Sequence, residues 1–433
     1  MNRPERPTRP SRRSFLKTSL AAATAATAAD LSIARGAHAA GNELVRIALI
    51  GCGGRGTGAA SQALATAGPV KLVAMADVFS ERLEASLKFL SAIDEIRDRI
   101  DVPPERRFLG FDAYQKAIDC GVDLVLLTTS PHFRPIHYPA AVRSGKHVYM
   151  EKPVAVDAPG VRLIQEANKE ARKNGLAVAV GFQRRHEDSC RQSIRRIRDA
   201  RIGPVRFVRT YYLMPGSVTG PTRQPGETEM HYQLRNWGYF TWLSGDHFVE
   251  QEVHAVDVAN WIVDACPVKA QGLGGRQVRV GPGTGQIFDH GMVEFEYPDG
   301  CRHFAMARQI PGCYQHVGQY AHGTKGIEPV GVGLGLMAMR GHASPYQLQH
   351  DRLFAAIRSG TAFFEADYGA TSAMSAIMGR MALYSGKEVT WEQAIQSQLR
   401  LAPARYAMDA DPPILADASG NYPVAIPGVT AAL

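Results

Sequence analysis

Val45-Arg46-Ile47-Ala48-Leu49-Ile50-Gly51-Cys52-Gly53-Gly54-Arg55-Gly56 is the stretch that decides how this chain folds. Its first six residues, apolar except for Arg46, have the composition of a strand buried on both faces. The glycines that follow have the spacing G-x-G-x-x-G. Gly51 permits a tight turn after the strand, Gly53 lets the backbone approach a pyrophosphate, and Gly56 lets the next helix pack close to the sheet. Gly54 and Arg55 lie in the same turn, where a helix N-terminus offers free N–H groups and a partial positive charge to an anion. The next apolar run ends in Ala76-Asp77. An acid there accepts hydrogen bonds from ribose hydroxyls and repels a 2′-phosphate, which points to NAD rather than NADP. Ser130 and Pro131 follow a later strand and fall at the carboxyl edge of the sheet, where such a groove lies.

Outward from this stretch, apolar runs at 45–50, 71–76, 124–129, 147–150 and 177–181 alternate with helical patterns near 58–65, 80–90, 114–118, 139–144 and 159–174. That alternation predicts a parallel α/β sheet. The charged stretch 93–107, with Pro103-Pro104, is expected to be a surface insertion. Beyond Arg201 the texture changes. Residues 205–212, 291–297 and 302–308 alternate apolar and polar, as half-buried antiparallel strands do, and Pro298-Asp299-Gly300 predicts a hairpin turn. Helices are expected over 249–263 and 371–384, the latter packing back on the first half, with a long loop at 215–229. The expected fold class is α/β: an N-terminal Rossmann domain, 40–175, and an α+β domain with an open, mostly antiparallel sheet, 176–433. The Gly-rich stretch 326–341 has no assigned place.

Residues 1–39 read as a targeting segment. Ser11-Arg12-Arg13-Ser14-Phe15-Leu16-Lys17 carries a twin-arginine pattern, the apolar run 20–29 is far shorter than a membrane span, and Ala37-His38-Ala39 suits cleavage before Ala40. Export out of the cytoplasm, without a stable membrane anchor, is therefore expected. The full chain is +8, but residues 1–39 hold seven Lys/Arg and two Asp/Glu, leaving about +3 for the remainder. That balance predicts no nucleic-acid partner. None of the six cysteines forms a C-x-x-C pair, so no structural zinc is expected.

Two further constellations carry chemistry. Glu151-Lys152-Pro153 closes the strand at 147–150, placing Lys152 at the ligand edge with Glu151 beside it, and both are expected to contact the cofactor as well. Glu250, His254 and Asp257 are spaced four and three apart on a predicted helix. An imidazole between two acids suits acid/base work near neutral pH. Asp246 and His247 allow a divalent-metal alternative, which ranks lower because no H-E-x-x-H-like ligand set appears.

The glycine loop, Gly145-Lys146-His147-Val148-Tyr149-Met150-Glu151-Lys152-Pro153 and Val253-His254-Ala255-Val256-Asp257 occur in the order found in the glucose–fructose oxidoreductase and inositol dehydrogenase family (Gfo/Idh/MocA), which the chain resembles. The resemblance implies an open-sheet substrate domain that often oligomerises, so a homo-oligomer is expected. It implies Lys152 and His254 as catalytic residues and puts Glu250 where the family usually has Asp, orienting the histidine. Arg184, Arg185 and His186, with Asp257, are the next expected substrate contacts. The aromatic stretch 236–247 looks like that of exported members. The implied activity is NAD-dependent oxidation or reduction at a sugar, glycoside or cyclitol hydroxyl, with tightly held cofactor. Two alternatives stand beside it: redox-neutral glycoside hydrolysis through oxidation, elimination, hydration and reduction, and a non-catalytic carbohydrate-binding relative.

Overall fold

The computed structural model describes residues 43–331 and 344–431. The targeting segment and most of the unplaced Gly-rich stretch lie outside the described residues. The first sheet has six parallel strands, β1 (Val45–Ile50), β2 (Val70–Asp77), β3 (Arg107–Leu109), β4 (Leu124–Leu127), β5 (His147–Met150) and β6 (Val178–Val180), in the order β3-β2-β1-β4-β5-β6. Both faces are covered, which is why its strands read as unbroken apolar runs. Ile47 and Leu49 pack on one side with Leu72, Leu126 and Tyr149; Ala48 and Ile50 pack on the other with Val125, Leu127 and Val148.

Two expectations need correction here. The stretch 93–107 is not wholly an insertion: Ile100 bridges to Leu72, and Arg107 opens β3 as the edge strand. A three-residue strand beside Pro103-Pro104 leaves no alternation to detect. The domain boundary also falls later than 175, because β6 hydrogen-bonds to β5 and completes the first sheet.

Helix α1 (Gly54–Leu64) starts within the glycine loop, four residues before the predicted helix, with Gly53 at its N-cap. It buries Gly56, Ala59, Ala60 and Ala63 against the sheet. Helix α2 (Ser80–Ser91) follows β2, and α3 (Ala113–Ile118) and α4 (Arg134–Arg143) flank β4. Helix α5 (Ala158–Lys173) is capped by the Asp157 carboxylate, which accepts from the Gly160 N–H at 2.8 Å.

The second sheet has seven strands. They are β7 (Val205–Met214), β8 (Lys269–Gly275), β9 (His290–Glu296), β10 (Arg302–Gln309), β11 (His316–Gly323), β12 (Ile327–Val330) and β13 (Val389–Thr390), ordered β12-β11-β7-β10-β9-β8-β13. Only β7 and β10 pair in parallel; the rest are antiparallel, and β9 and β10 meet at the predicted Pro298–Gly300 turn. Val208, Val293, Phe295 and Ala305 are buried on the inner face. The helix predicted over 249–263 is a π-helical turn, Phe248–Glu252, continued by α6 (Val253–Val263). Helices α7 (Pro345–Ser359) and α8 (Ala366–Ser385) return to the first domain, α7 against α1 and α8 against α5. The second of these was anticipated.

Irregular chain after residue 397 straps the two domains together. Leu401 N–H donates to Asp157, Tyr406 bonds His132 at 2.8 Å, and Gln233 donates to the Ile414 carbonyl at 2.7 Å. Among the described residues no helix is long and apolar enough to cross a membrane, and all six cysteines are free.

Candidate active site

A groove runs along the carboxyl edge of the first sheet and opens into a cleft against the second domain. The groove is lined by Gly51, Gly53, Gly54, Arg55, Gly56, Asp77 and Ser130. The cleft is lined by Pro131, Glu151, Lys152, Gln183, Tyr212, Glu250, Gln251, His254 and Tyr346. Arg55, Thr128, Thr129 and Trp237 border both, so the two are continuous.

The glycine loop divides into two kinds of position. Gly51 has φ of +100°, and a Cβ there would lie 2.4 Å from the Thr129 amide nitrogen. A Cβ on Gly56 would lie 2.0 Å from the Gly51 carbonyl oxygen. These two glycines are required by the protein itself. A Cβ on Gly53 or Gly54 would meet nothing within 4 Å. Their bare backbone faces open groove, as a cradle for a pyrophosphate requires, and the residues present fit a dinucleotide.

Asp77 ends β2 at the far end of the groove. Its carboxylate accepts from the backbone N–H groups of Cys52, at 2.6 Å, and Phe79, at 3.0 Å. It is thereby fixed against the loop, with lone pairs left for ribose hydroxyls. Burial raises its pKa, and those two backbone bonds partly oppose the shift. The buried Arg134 ties the strand ends together, donating to the Thr129 and Glu151 carbonyls at 2.5 Å each. Its place in a helix carried no sequence signal for that role.

In the cleft, Lys152 Nζ donates to the Glu250 carboxylate at 2.7 Å and to the Glu250 carbonyl at 2.5 Å. Glu250 therefore holds Lys152 and not His254, contrary to the expected orienting role. The π-helical turn is the cause, because it changes the register between residues 250 and 254 from that of a regular helix. His254 Nδ1 is buried with no hydrogen-bond partner among the described residues. Burial, then the charges of Lys152 and Arg184, hold its pKa well below the ordinary 6.5. The imidazole is neutral at neutral pH. Glu151 borders the cleft but is not a free acid there: Tyr149 donates to it at 2.7 Å and Arg55 approaches it at 3.1 Å.

The four expected substrate contacts are used elsewhere. Arg185 forms a two-pronged pair with Asp257, at 2.9 Å for both bonds, and stacks on Tyr368; Asp257 also accepts from Ser372. His186 bonds Glu365 at 2.8 Å and Arg352 at 3.1 Å. Arg184 is buried, with its Nη1 2.9 Å from the Gln319 side-chain amide, which accepts from it when its oxygen faces the guanidinium, and its charge reaches His254. The 3₁₀ turn Gln183–His186 explains this, since it brings Gln183 to the cleft and buries Arg184 and His186. Gln183, Tyr212, Gln251 and Tyr346 went unpredicted because none belongs to a motif. Trp237 is the one aromatic of the 236–247 stretch that borders both groove and cleft, while Phe240 and Trp242 are core. The Asp246 carboxylate is occupied by His247 at 2.6 Å and by backbone N–H groups, and no group of three or more His, Cys, Asp or Glu among the described residues could hold a metal.

Several buried imidazoles set an acid limit on stability. Burial lowers the pKa of His132 to about 4 and of His137, His303 and His350 to about 3, with His254 depressed as well. Below pH 6.5 the unfolded chain binds protons at these sites that the folded chain refuses, so stability is lost as pH falls. One unit below 6.5, each such group costs roughly 1.4 kcal/mol. Buried Glu252, raised to about 8 by desolvation, acts in the opposite sense between its folded value and 4.5, but by a single proton. The melting temperature is expected to drop steeply between pH 6.5 and 4.5. A flat or rising profile over that range would contradict the burial of these rings as neutral species.

Comparison with known proteins agrees with the fold. Residues 45–182 match the family described as "Oxidoreductase family, NAD-binding Rossmann fold". The inositol 2-dehydrogenase of Acidiphilium cryptum is 27% identical over 235 residues, covering 54% of this chain and 59% of that protein. The scyllo-inositol 2-dehydrogenase (NAD(+)) of Bacillus subtilis is 25% identical over 231 residues, 53% and 57% of the two chains. The chain thus spans less than two thirds of the length of these curated relatives. The scyllo-inositol dehydrogenase of Lactobacillus casei, solved with bound cofactor NAD(H) and scyllo-inositol, superimposes with a TM-score of 0.62 at 17% identity, covering 81% of this chain and all of that one. At that identity the likeness speaks for the fold.

Proposed function

We propose that this chain belongs to the Gfo/Idh/MocA oxidoreductase family, whose NAD-binding part its residues 45–182 match, and that it is an NAD-dependent oxidoreductase acting on a hydroxyl of a sugar, glycoside or cyclitol. The observation that carries the proposal is the continuity of the bare-backbone groove at Gly53-Gly54 with a cleft holding Lys152, Glu250 and His254. The two inositol dehydrogenase relatives support the substrate class.

Bound NAD would supply the hydride acceptor. The chain's own residues supply the rest. Neutral His254 takes the hydroxyl proton. Lys152 Nζ, fixed by Glu250, donates to the hydroxyl oxygen and favours its deprotonated form. Asp77 selects the unphosphorylated ribose.

The twin-arginine segment supports export of the folded chain with NAD already bound. With little free NAD outside the cytoplasm, the cofactor is held and recycled within each turnover, either by redox-neutral glycoside cleavage or by a paired sugar oxidoreduction. The outer face of the second sheet carries Phe207, Tyr211, Met292, Phe304 and Met306, with Leu273 70% exposed, and we assign a homo-oligomeric contact to it.

The direct test is native mass spectrometry of chain 40–433, followed by absorbance at the NADH band with myo- and scyllo-inositol and by release of aglycone from glycosides. NAD near one per chain, with reduction or redox-neutral cleavage, is expected. A chain that binds NAD and polyol but does neither would support the non-catalytic alternative.

A further inference from the structure

We infer that Gln251 is a specificity-determining residue of the cleft, locked by a two-step relay so that it presents only hydrogen-bond donors to substrate. This rests on the polyol reading above. An arginine guanidinium can donate but never accept. Arg279, 2% exposed, donates to the Phe288 carbonyl at 2.6 Å and to Gln309 Oε1. The Gln309 amide is thereby oriented, and its Nε2 donates to Gln251 Oε1 at 2.5 Å. With its oxygen turned toward Gln309, Gln251 carries its Nε2 hydrogens on the opposite side of the amide, and these have no acceptor among the described residues. Gln251 lines the cleft beside Lys152 and His254. The orientation of an amide is ordinarily ambiguous, but here the donor-only arginine at the end of the chain removes the ambiguity.

The consequence is chemical. A pure donor at this position pairs with the oxygen of a hydroxyl, ether or carbonyl. It opposes an ammonium, which has no lone pair to offer. The cleft therefore favours an oxygen substituent there and rejects the corresponding 2-amino-2-deoxy sugar or aminocyclitol.

Two substitutions invert the relay by different routes. In Gln251→Glu the new carboxylate still accepts from Gln309 and turns its second oxygen to the cleft. In Gln309→Glu the carboxylate still accepts from Arg279, so Gln251 must donate to it and rotate its own oxygen outward. Binding to the NAD-loaded protein would be measured by calorimetry for myo-inositol and its monoamino analogue, and for glucose and glucosamine, with melting temperature and NAD content as checks on folding. The wild-type chain is expected to prefer the oxygen compound by about tenfold or more, and both variants to narrow or reverse that preference by a similar factor. A merely structural role would not move this ratio. Polyol binding with an unchanged ratio in a folded variant would overturn the relay alone. A wild-type chain that binds none of the four would overturn the polyol reading and the inference together.

Discussion

Lys152→Met is expected to lower kcat/KM by about a thousandfold or more while leaving NAD bound near one per chain. The physical basis is the separation of the two functions along one continuous site. The glycine loop and Asp77 that would hold the cofactor make no contact through the Lys152 ammonium, whose two hydrogen bonds both go to Glu250. Methionine preserves most of the side-chain volume but removes the donor that favours a developing alkoxide. A loss of three decades corresponds to about 4 kcal/mol of transition-state stabilisation, the range expected for a preorganised charge in a partly dry site. Glu250 would lose its partner, yet its side chain is 20% exposed, so water can solvate it and the fold should survive. Turnover and NAD content measured on the same preparation check the prediction. Wild-type turnover in the variant would remove Lys152 from the mechanism, and loss of NAD would show that cofactor and substrate sites are not separable.

The glycine loop offers an equally sharp contrast. Gly51→Ala forces a side chain into left-handed backbone at φ +100° and into the Thr128–Thr129 backbone at 2.4 to 2.9 Å. Backbone atoms at the end of a central strand cannot retreat, so a destabilisation of about 3 kcal/mol or more is expected. Gly53→Ala is different. Gly53 has φ −69°, which any residue adopts, and its new methyl would touch no protein atom. The melting temperature should stay within a degree or two of wild type, while NAD affinity falls by about tenfold to a hundredfold because the methyl occupies space the pyrophosphate needs. Thermal melts with and without NAD separate the two outcomes. An unstable Gly53→Ala, or one that binds NAD normally, would show that this backbone does not face the cofactor.

Much of this was legible before any coordinates. The strand from Val45 to Ile50, the turn at Gly51, the acid at the end of β2 and the lysine after β5 all lie where the sequence places them, because each depends on chain-local sterics and on strand ends that share one edge. The three-residue edge strand β3 escaped because it is too short to show a period. His254 does line the cleft, but its supposed partner is turned away from it. Helical spacing predicted Glu250 beside His254, and a single π-helical turn redirected the carboxylate to Lys152.

The sequence by itself thus determined the backbone frame of the groove: glycine where no Cβ fits, apolar runs where both sheet faces are covered, and charged residues at the strand ends. Side-chain partnership was decided by tertiary structure alone. Lys152 and Glu250 are 98 residues apart, Arg185 and Asp257 are 72 apart, and the relay from Arg279 through Gln309 to Gln251 crosses intervals of 30 and 58. Polar side chains buried together must satisfy one another's hydrogen bonds, and which groups are buried together depends on how two domains and a C-terminal strap close around them. That is why Arg184, Arg185, His186 and Asp257 read as substrate contacts along the chain and are structural in the fold, while Gln183 and Gln251, silent in the sequence, face the cleft.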